Sequence, residues 1–81
     1  MESYENDFLC DVLNAVDDYD FSYSSYHEDG GFIVEITFDD DEEWAENEED
    51  IWDSLEEVAD DWDACLDAQG QTYYVSIEAD E

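Results

Sequence analysis

The absence of lysine and arginine is the feature of this sequence that most constrains its fold and its function. Asp and Glu account for 29 of the 81 residues, so the formal charge at neutral pH is −29. An average soluble chain of this length carries roughly ten basic residues. A surface that carries only carboxylates repels itself and contains no Lys or Arg with which to form salt bridges. The chain therefore has to fold through its apolar residues and its hydrogen bonds.

The apolar composition predicts a folded protein in spite of this charge. Hydrophobic residues make up 43% of the chain and aromatic residues 16%, whereas acidic disordered segments contain few aromatics. We expect one acidic domain over residues 1–81, without a linker because the chain has three glycines and no proline. We also expect no targeting segment, since there is no basic start and no long apolar run. Cys10 and Cys65 are too few for a disulfide framework and favour reduced thiols in the cytoplasm.

The first half of the chain predicts one helix and one β-hairpin. Apolar residues between positions 4 and 17 recur with helical spacing, which predicts an amphipathic helix. Phe21–Tyr26 and Phe32–Phe38 alternate between apolar and polar residues, as two strands do. Gly30 and Gly31 indicate the turn between these strands.

The second half predicts a long acidic helix and a final strand. Apolar residues keep helical spacing from Ile51 to Leu66, so we expect a helix over residues 50–67 that ends near Gly70. Whether residues 40–48 are helical stays open at this point. Thr72–Ile77 alternates as a strand does. The fold class predicted is α+β, a two-layer αββαβ domain with two helices on a small three-stranded antiparallel sheet, in the order 2-1-3.

The charges of the second helix predict a partner-binding surface. Eight carboxylates over residues 50–67 span about 27 Å, or one per roughly 3.4 Å, which is close to the phosphate spacing along one strand of B-DNA. Such crowding lowers stability, so we expect that the field itself is the selected property. The predicted partner-binding residues are the acidic residues of this helix and of the segment before it: Asp39, Asp40, Asp41, Glu42, Glu43, Glu46, Glu49, Asp50, Asp53, Glu56, Glu57, Asp60, Asp61 and Asp63.

In size, in charge and in its lack of basic residues, the whole chain resembles the DNA-mimic inhibitors of phages and mobile elements. That class includes anti-CRISPR and anti-restriction proteins, and the resemblance rests on no sequence motif. It implies an inhibitor, in the host cytoplasm if phage-encoded, that occupies the DNA-binding site of a basic defence protein or complex. It implies no direct contact with nucleic acid and no enzymatic activity. The sequence leaves open whether the protein is a monomer or a homodimer.

Four other function classes are compatible with some feature of this sequence. An immunity or antitoxin protein that blocks a nuclease or restriction enzyme has the same electrostatics, and a halophile-adapted domain has a similar surface. A calcium loop at Asp39, Asp41 and Glu43 is rejected because Trp44 stands where the loop needs glycine. An enzyme is disfavoured because any pair among so many carboxylates is arbitrary. We therefore predict no catalytic residue, cofactor or metal. Binding to nucleic acid or to an anionic membrane through a basic patch is excluded.

Overall fold

The structure, a computed structural model, describes residues 3–28 and 30–78. Its elements follow the order αββαββ. Two helices and four strands are present among these residues: α1 Ser3–Ala15, β1 Phe21–Glu28, β2 Gly31–Phe38, α2 Asp41–Trp62, β3 Cys65–Gln69 and β4 Thr72–Glu78. The predicted α+β class with two helices and an antiparallel sheet is confirmed, whereas the predicted number of strands is wrong.

The additional strand, β3, occupies the segment that we expected to be the end of the second helix. Helix α2 ends at Trp62 because Asp63 adopts the left-handed conformation (φ 54°, ψ 41°), and the Ala64 N–H then donates to the Ala59 carbonyl oxygen at 2.7 Å. Beyond this point exposed and partly buried residues alternate, as they do in a strand, and Leu66 is one of the partly buried ones. Gly70, which was expected to end the helix, instead has a positive φ of 61° in the turn between β3 and β4.

The strand order is also different from the prediction. The sheet has the order β1-β2-β4-β3, with every neighbouring pair antiparallel. The C-terminal strand therefore lies beside β2, with Ile36 opposite Tyr73, and not beside the first strand. Strand β2 takes a central position because its apolar residues bury one whole face, while the serine-rich β1 is left at the edge.

Both helices pack on one face of the sheet. Phe8 and Val12 of α1 and Ile51 and Leu55 of α2 are fully buried against the apolar residues of β2 and β4. The opposite face carries no helix among the described residues, and we call it the open face. Its side chains alternate with those of the core: Ser22, Ser24, Tyr26, Glu28, Ile33, Glu35, Thr37, Cys65, Asp67, Gln69, Thr72, Tyr74, Ser76 and Glu78.

The left-handed residue at the end of α2 gives a first testable prediction. Asp63→Gly is expected to stabilise the protein by about 1 kcal/mol, because glycine adopts this conformation without strain and a carboxylate at a helix C-terminus is unfavourable. The matched change Asp61→Gly, at an exposed residue in the last turn of α2, is expected to destabilise it by a few tenths of a kcal/mol. Urea denaturation of both variants measures the two signs. Equal effects would contradict the role assigned to Asp63.

Candidate partner-binding surface

Helix α2 begins at a well-formed N-terminal cap within the acidic run. The Asp40 carboxylate accepts a hydrogen bond from the Glu43 N–H at 3.0 Å, and the Trp44 N–H donates to the Asp40 carbonyl oxygen at 2.9 Å. Acidic residues are favourable in the first turn, where the helix dipole is positive. The segment whose structure the sequence left open, residues 40–48, is therefore the cap and the first two turns of α2.

The solvent side of α2 is a continuous array of carboxylates. Its 22 residues span about 33 Å. At 100° per residue, ten carboxylates fall within an arc of about 140° that lies opposite the buried residues Ile51, Leu55 and Ala59. We call this array the acidic face; it consists of Glu42, Glu43, Glu46, Glu49, Asp50, Asp53, Glu56, Glu57, Asp60 and Asp61.

The remaining predicted site residues flank this array. Asp39 and Asp40 precede α2, Asp41 lies in its first turn outside the arc, and Asp63 follows its last residue. Thirteen of the fourteen predicted residues are exposed. The exception is Glu43, whose carboxylate is half-buried and accepts a hydrogen bond from the Asp20 N–H at 3.1 Å. The structure thus places ten predicted residues on one surface and the other four at its two ends.

The acidic surface continues around the start of α2 onto the neighbouring loops. Asp20, Asp39, Asp40, Asp41 and Glu42 line one shallow hollow. There the Asp39 carboxylate accepts a hydrogen bond from the Ser22 hydroxyl at 3.1 Å. These contacts attach the β2–α2 connection to β1, so the carboxylates at this end of α2 are held in place by the sheet.

Tyr19 reports on the electrostatics of this region. Its ring packs edge-on against Phe38, with 6.2 Å between the ring centroids. Burial raises the pKa of the Tyr19 phenol above its ordinary value, and the negative charges of Asp50, Asp18 and Glu43 raise it further. The folded protein therefore holds this proton more tightly than the unfolded chain does.

This shift predicts a loss of stability at high pH. Because the pKa of Tyr19 is higher in the folded state, the stabilisation is complete below the ordinary phenol pKa of about 10 and is lost as pH rises through the raised value. Tyr19→Phe is expected to flatten this dependence between about pH 9 and about pH 11. Urea midpoints measured across that range test the prediction, with Tyr23→Phe at an exposed tyrosine as the matched control. Parallel profiles for the wild type and Tyr19→Phe would refute it.

An apolar groove lies beside the acidic face, and the sequence did not predict it. Trp44, Trp52 and Tyr73 line this groove together with Glu48 and Asp53. The Trp44 indole Nε1–H donates to the Tyr73 hydroxyl at 2.9 Å. The helical spacing of Trp44, Trp52 and Trp62 is typical of core residues, but each is only partly buried, at the border of the core. The helical spacing of the tryptophans predicts which side of α2 they occupy. It does not predict how much of each ring the sheet covers.

The single histidine pairs with a buried carboxylate. Glu5 is only 3% exposed, and its Oε2 lies 2.8 Å from Nε2 of His27. The Tyr4 hydroxyl donates to the same oxygen at 3.4 Å. The sequence predicts a first strand that ends at Tyr26, whereas β1 extends to Glu28. His27 therefore belongs to β1, where it contacts the Phe32 ring. This arrangement joins α1 to the edge of the sheet.

Comparison with known proteins gives no family for this chain. No protein-family model matches it, and a search of curated proteins finds no significant match. None of the helices within the described residues is both long enough and apolar enough to cross a membrane. Across residues 3–28 and 30–78, no three side chains of His, Cys, Asp or Glu form a group that could hold a metal ion.

Proposed function

We propose that this protein is a nucleic-acid-mimicking inhibitor that occupies the DNA-binding site of a host-defence nucleoprotein complex, as a phage-encoded anti-CRISPR protein does. The observation that supports this proposal is the acidic face of α2. The ten carboxylates lie between Glu42 and Asp61, a span of about 30 Å, which is one per about 3 Å of helix axis. Successive phosphates of one strand of B-DNA are spaced by about 3.4 Å along the duplex axis.

The shape of the molecule is compatible with this role. Its principal extents are 41 × 20 × 18 Å, so it is a rod whose length corresponds to about twelve base-pair steps. Helix α2 is anchored along this rod by the buried side chains of Ile51 and Leu55. A basic cleft that accommodates a duplex would therefore meet carboxylates on a fixed scaffold.

The energetic cost of the acidic face favours selection for binding. Neighbouring carboxylates at i and i+4 lie about 6 Å apart, within the screening length of about 8 Å at physiological salt. They repel one another in the free protein, and α2 contains no basic residue in its last turn to offset this repulsion. A solvated surface that served only solubility would mix charges of both signs.

The proposed mechanism is competition without chemistry. The field of the −29 charge accelerates encounter with a basic cleft, and this acceleration weakens as salt is added. On contact, carboxylates of the acidic face pair with Arg and Lys side chains that otherwise bind phosphates. The partner is then unable to bind DNA as long as the inhibitor occupies its cleft.

Affinity capture with matched variants tests this proposal. The immobilised protein is incubated with lysate of a bacterium that carries CRISPR and restriction systems, at about 0.15 M and about 1 M salt. We expect capture of one nucleic-acid-binding complex that is released by its own DNA and by high salt. Identification of the captured complex separates an anti-CRISPR protein from an inhibitor of a nuclease or restriction enzyme.

Charge-neutralised variants locate the binding surface in the same experiment. Glu46→Gln, Asp53→Asn and Asp60→Asn together remove three exposed carboxylates of the acidic face and are expected to weaken capture by at least about tenfold. The control removes three exposed carboxylates on and after α1, through Asp7→Asn, Asp17→Asn and Asp18→Asn. Equal weakening by the two sets, or capture of all basic proteins without displacement by DNA, would contradict the proposal.

A further inference from the structure

The open face of the sheet is a second exposed surface with a composition of its own. Its side chains form cross-strand rows, because residues paired in register point to the same side. One row consists of Tyr26, Ile33, Ser76 and Cys65, which are all neutral. The adjacent row consists of Ser24, Glu35, Tyr74 and Asp67.

Two tyrosines and one isoleucine form an apolar depression in this face. Tyr26, Ile33 and Tyr74 line it from three different strands. Tyr26 is 37% exposed and is one of the two large hydrophobic residues that remain exposed among the described residues. Apolar and aromatic side chains at the centre of an exposed surface are typical of binding sites.

Carboxylates surround this depression. Glu28 and Asp67 lie at its border, Glu35 is the cross-strand neighbour of Tyr74, and Glu78 ends β4 on the same face. Partial desolvation by neighbouring side chains raises the pKa of the Tyr26 phenol, and Glu35, Glu28 and Tyr74 raise it further. The Tyr26 hydroxyl therefore lies within the field of these groups, and at neutral pH the ring is uncharged.

The apolar depression and the carboxylates around it together indicate which chemical group binds there. A second copy of the chain would place these four carboxylates against their own equivalents, which is unfavourable. A cationic group is complementary to them, and the tyrosine rings favour a planar cation that stacks on an aromatic face. The arginine guanidinium meets both requirements, whereas the lysine ammonium is compact and strongly hydrated.

We infer that the open face binds arginine side chains of the partner, which stack on Tyr26 and Tyr74 while pairing with the surrounding carboxylates. This inference rests on the proposed function for the identity of the partner. The molecule is only about 20 Å across, so a cleft that encloses it reaches the acidic face of α2 and the open face at the same time.

Binding of two short peptides tests the inference without the natural partner. Hexa-arginine and hexa-lysine carry the same charge, and their affinities are measured by calorimetry at equal ionic strength. We expect hexa-arginine to bind about fivefold more tightly, since it stacks on aromatic rings as well as pairing with carboxylates. Nuclear magnetic resonance shifts are expected at Tyr26, Ile33 and Tyr74 as well as on α2.

Substitutions separate the stacking contribution from charge. Tyr26→Leu with Tyr74→Leu is expected to remove the preference for arginine while leaving the affinity for hexa-lysine unchanged. Tyr26→Phe with Tyr74→Phe keeps both rings and is expected to keep the preference. Tyr23→Leu changes an exposed tyrosine on the helix side of β1 and is also expected to keep it.

Three outcomes would overturn the inference. They are equal affinity for the two peptides, a preference that survives the double leucine variant, and shifts confined to α2. A dimer in sedimentation that dissociates in the double leucine variant would assign the face to a second copy. The peptide experiments test this inference independently of the proposed function. The proposed function is contradicted separately, if the lysate yields no complex that DNA displaces.

Discussion

Replacing Leu55 by alanine is expected to unfold the protein at low ionic strength and to allow it to refold in about 1 M salt. Leu55 is fully buried between α2 and the sheet, and a change of this kind costs about 2–5 kcal/mol. A chain of 81 residues has a total stability of about 4–12 kcal/mol. Self-repulsion brings this protein towards the lower limit. Salt restores stability because the screening length falls from about 30 Å at 0.01 M to about 3 Å at 1 M.

Circular dichroism and urea denaturation at both ionic strengths measure this effect. Leu13→Ala is the matched control, because Leu13 is only partly buried and the same atoms are removed with a smaller expected loss. A Leu55→Ala variant that stays folded at about 0.01 M salt would show that the core has more stability than we infer. A wild-type protein that itself unfolds at physiological salt would instead favour adaptation to a halophilic environment.

The first half of the fold was predictable because local pattern and burial agree there. The helical spacing of Phe8 and Val12 corresponds to the residues that α1 buries, and Val16, which directly follows α1, is buried as well. The alternation in Phe32–Phe38 corresponds to the buried face of β2. In both elements the buried residues recur on one side of the chain, so the period alone identifies the structure.

The boundaries of α2 were not predictable because its sequence offers several equivalent signals. Asp39, Asp40 and Asp41 are all good N-terminal caps, and only the structure shows that the side chain of Asp40 accepts from the Glu43 N–H. At the other end, Cys65 and Leu66 satisfy helical spacing, yet Leu66 also satisfies the alternation of a strand. The left-handed Asp63 decides between these interpretations, and aspartate gives a weaker signal for that conformation than glycine does.

The acidic face was predictable as a set of residues, whereas the open face was not. Charge and helical spacing suffice to place carboxylates such as Asp53 and Glu57 on the solvent side of α2. The rows of the open face depend on which strands are neighbours. With the predicted order, Tyr74 would lie beside β1, whereas it is actually beside Glu35 of β2. Non-local pairing of this kind is not encoded in the period of any single segment.

Reversing three charges of the acidic face is expected to raise stability and to weaken partner binding strongly. Glu46, Asp53 and Asp60 are seven residues apart on α2 and are all exposed. Each lysine introduced there changes the charge by two units, so the three together shift the formal charge from −29 to −23. Most residues three and four positions away are acidic: Glu42, Glu43, Glu49, Asp50, Glu56, Glu57 and Asp63. New pairs at these spacings contribute about 0.2–0.5 kcal/mol each, and the gain expected is about 2 kcal/mol or more.

Binding should respond in the opposite direction to the same three substitutions. Against a basic cleft, each lysine loses an attractive pair and adds a repulsive one, at a cost of at least about 1.5 kcal/mol. Three such changes are expected to weaken affinity by about a thousandfold. Urea denaturation gives the stability, and competition with DNA for the captured complex gives the affinity.

Opposite signs of the two effects distinguish a functional surface from a structural one. If the acidic face serves folding or hydration alone, reversal should lower stability or leave it unchanged, and binding should follow the fraction of folded protein. If it serves recognition, the more stable variant is the inactive one. Lysine at Asp7, Asp17 and Asp18 is the matched control, since it changes the net charge equally while leaving α2 intact. A control that loses binding to the same extent would show that net charge, without the arrangement on α2, determines affinity.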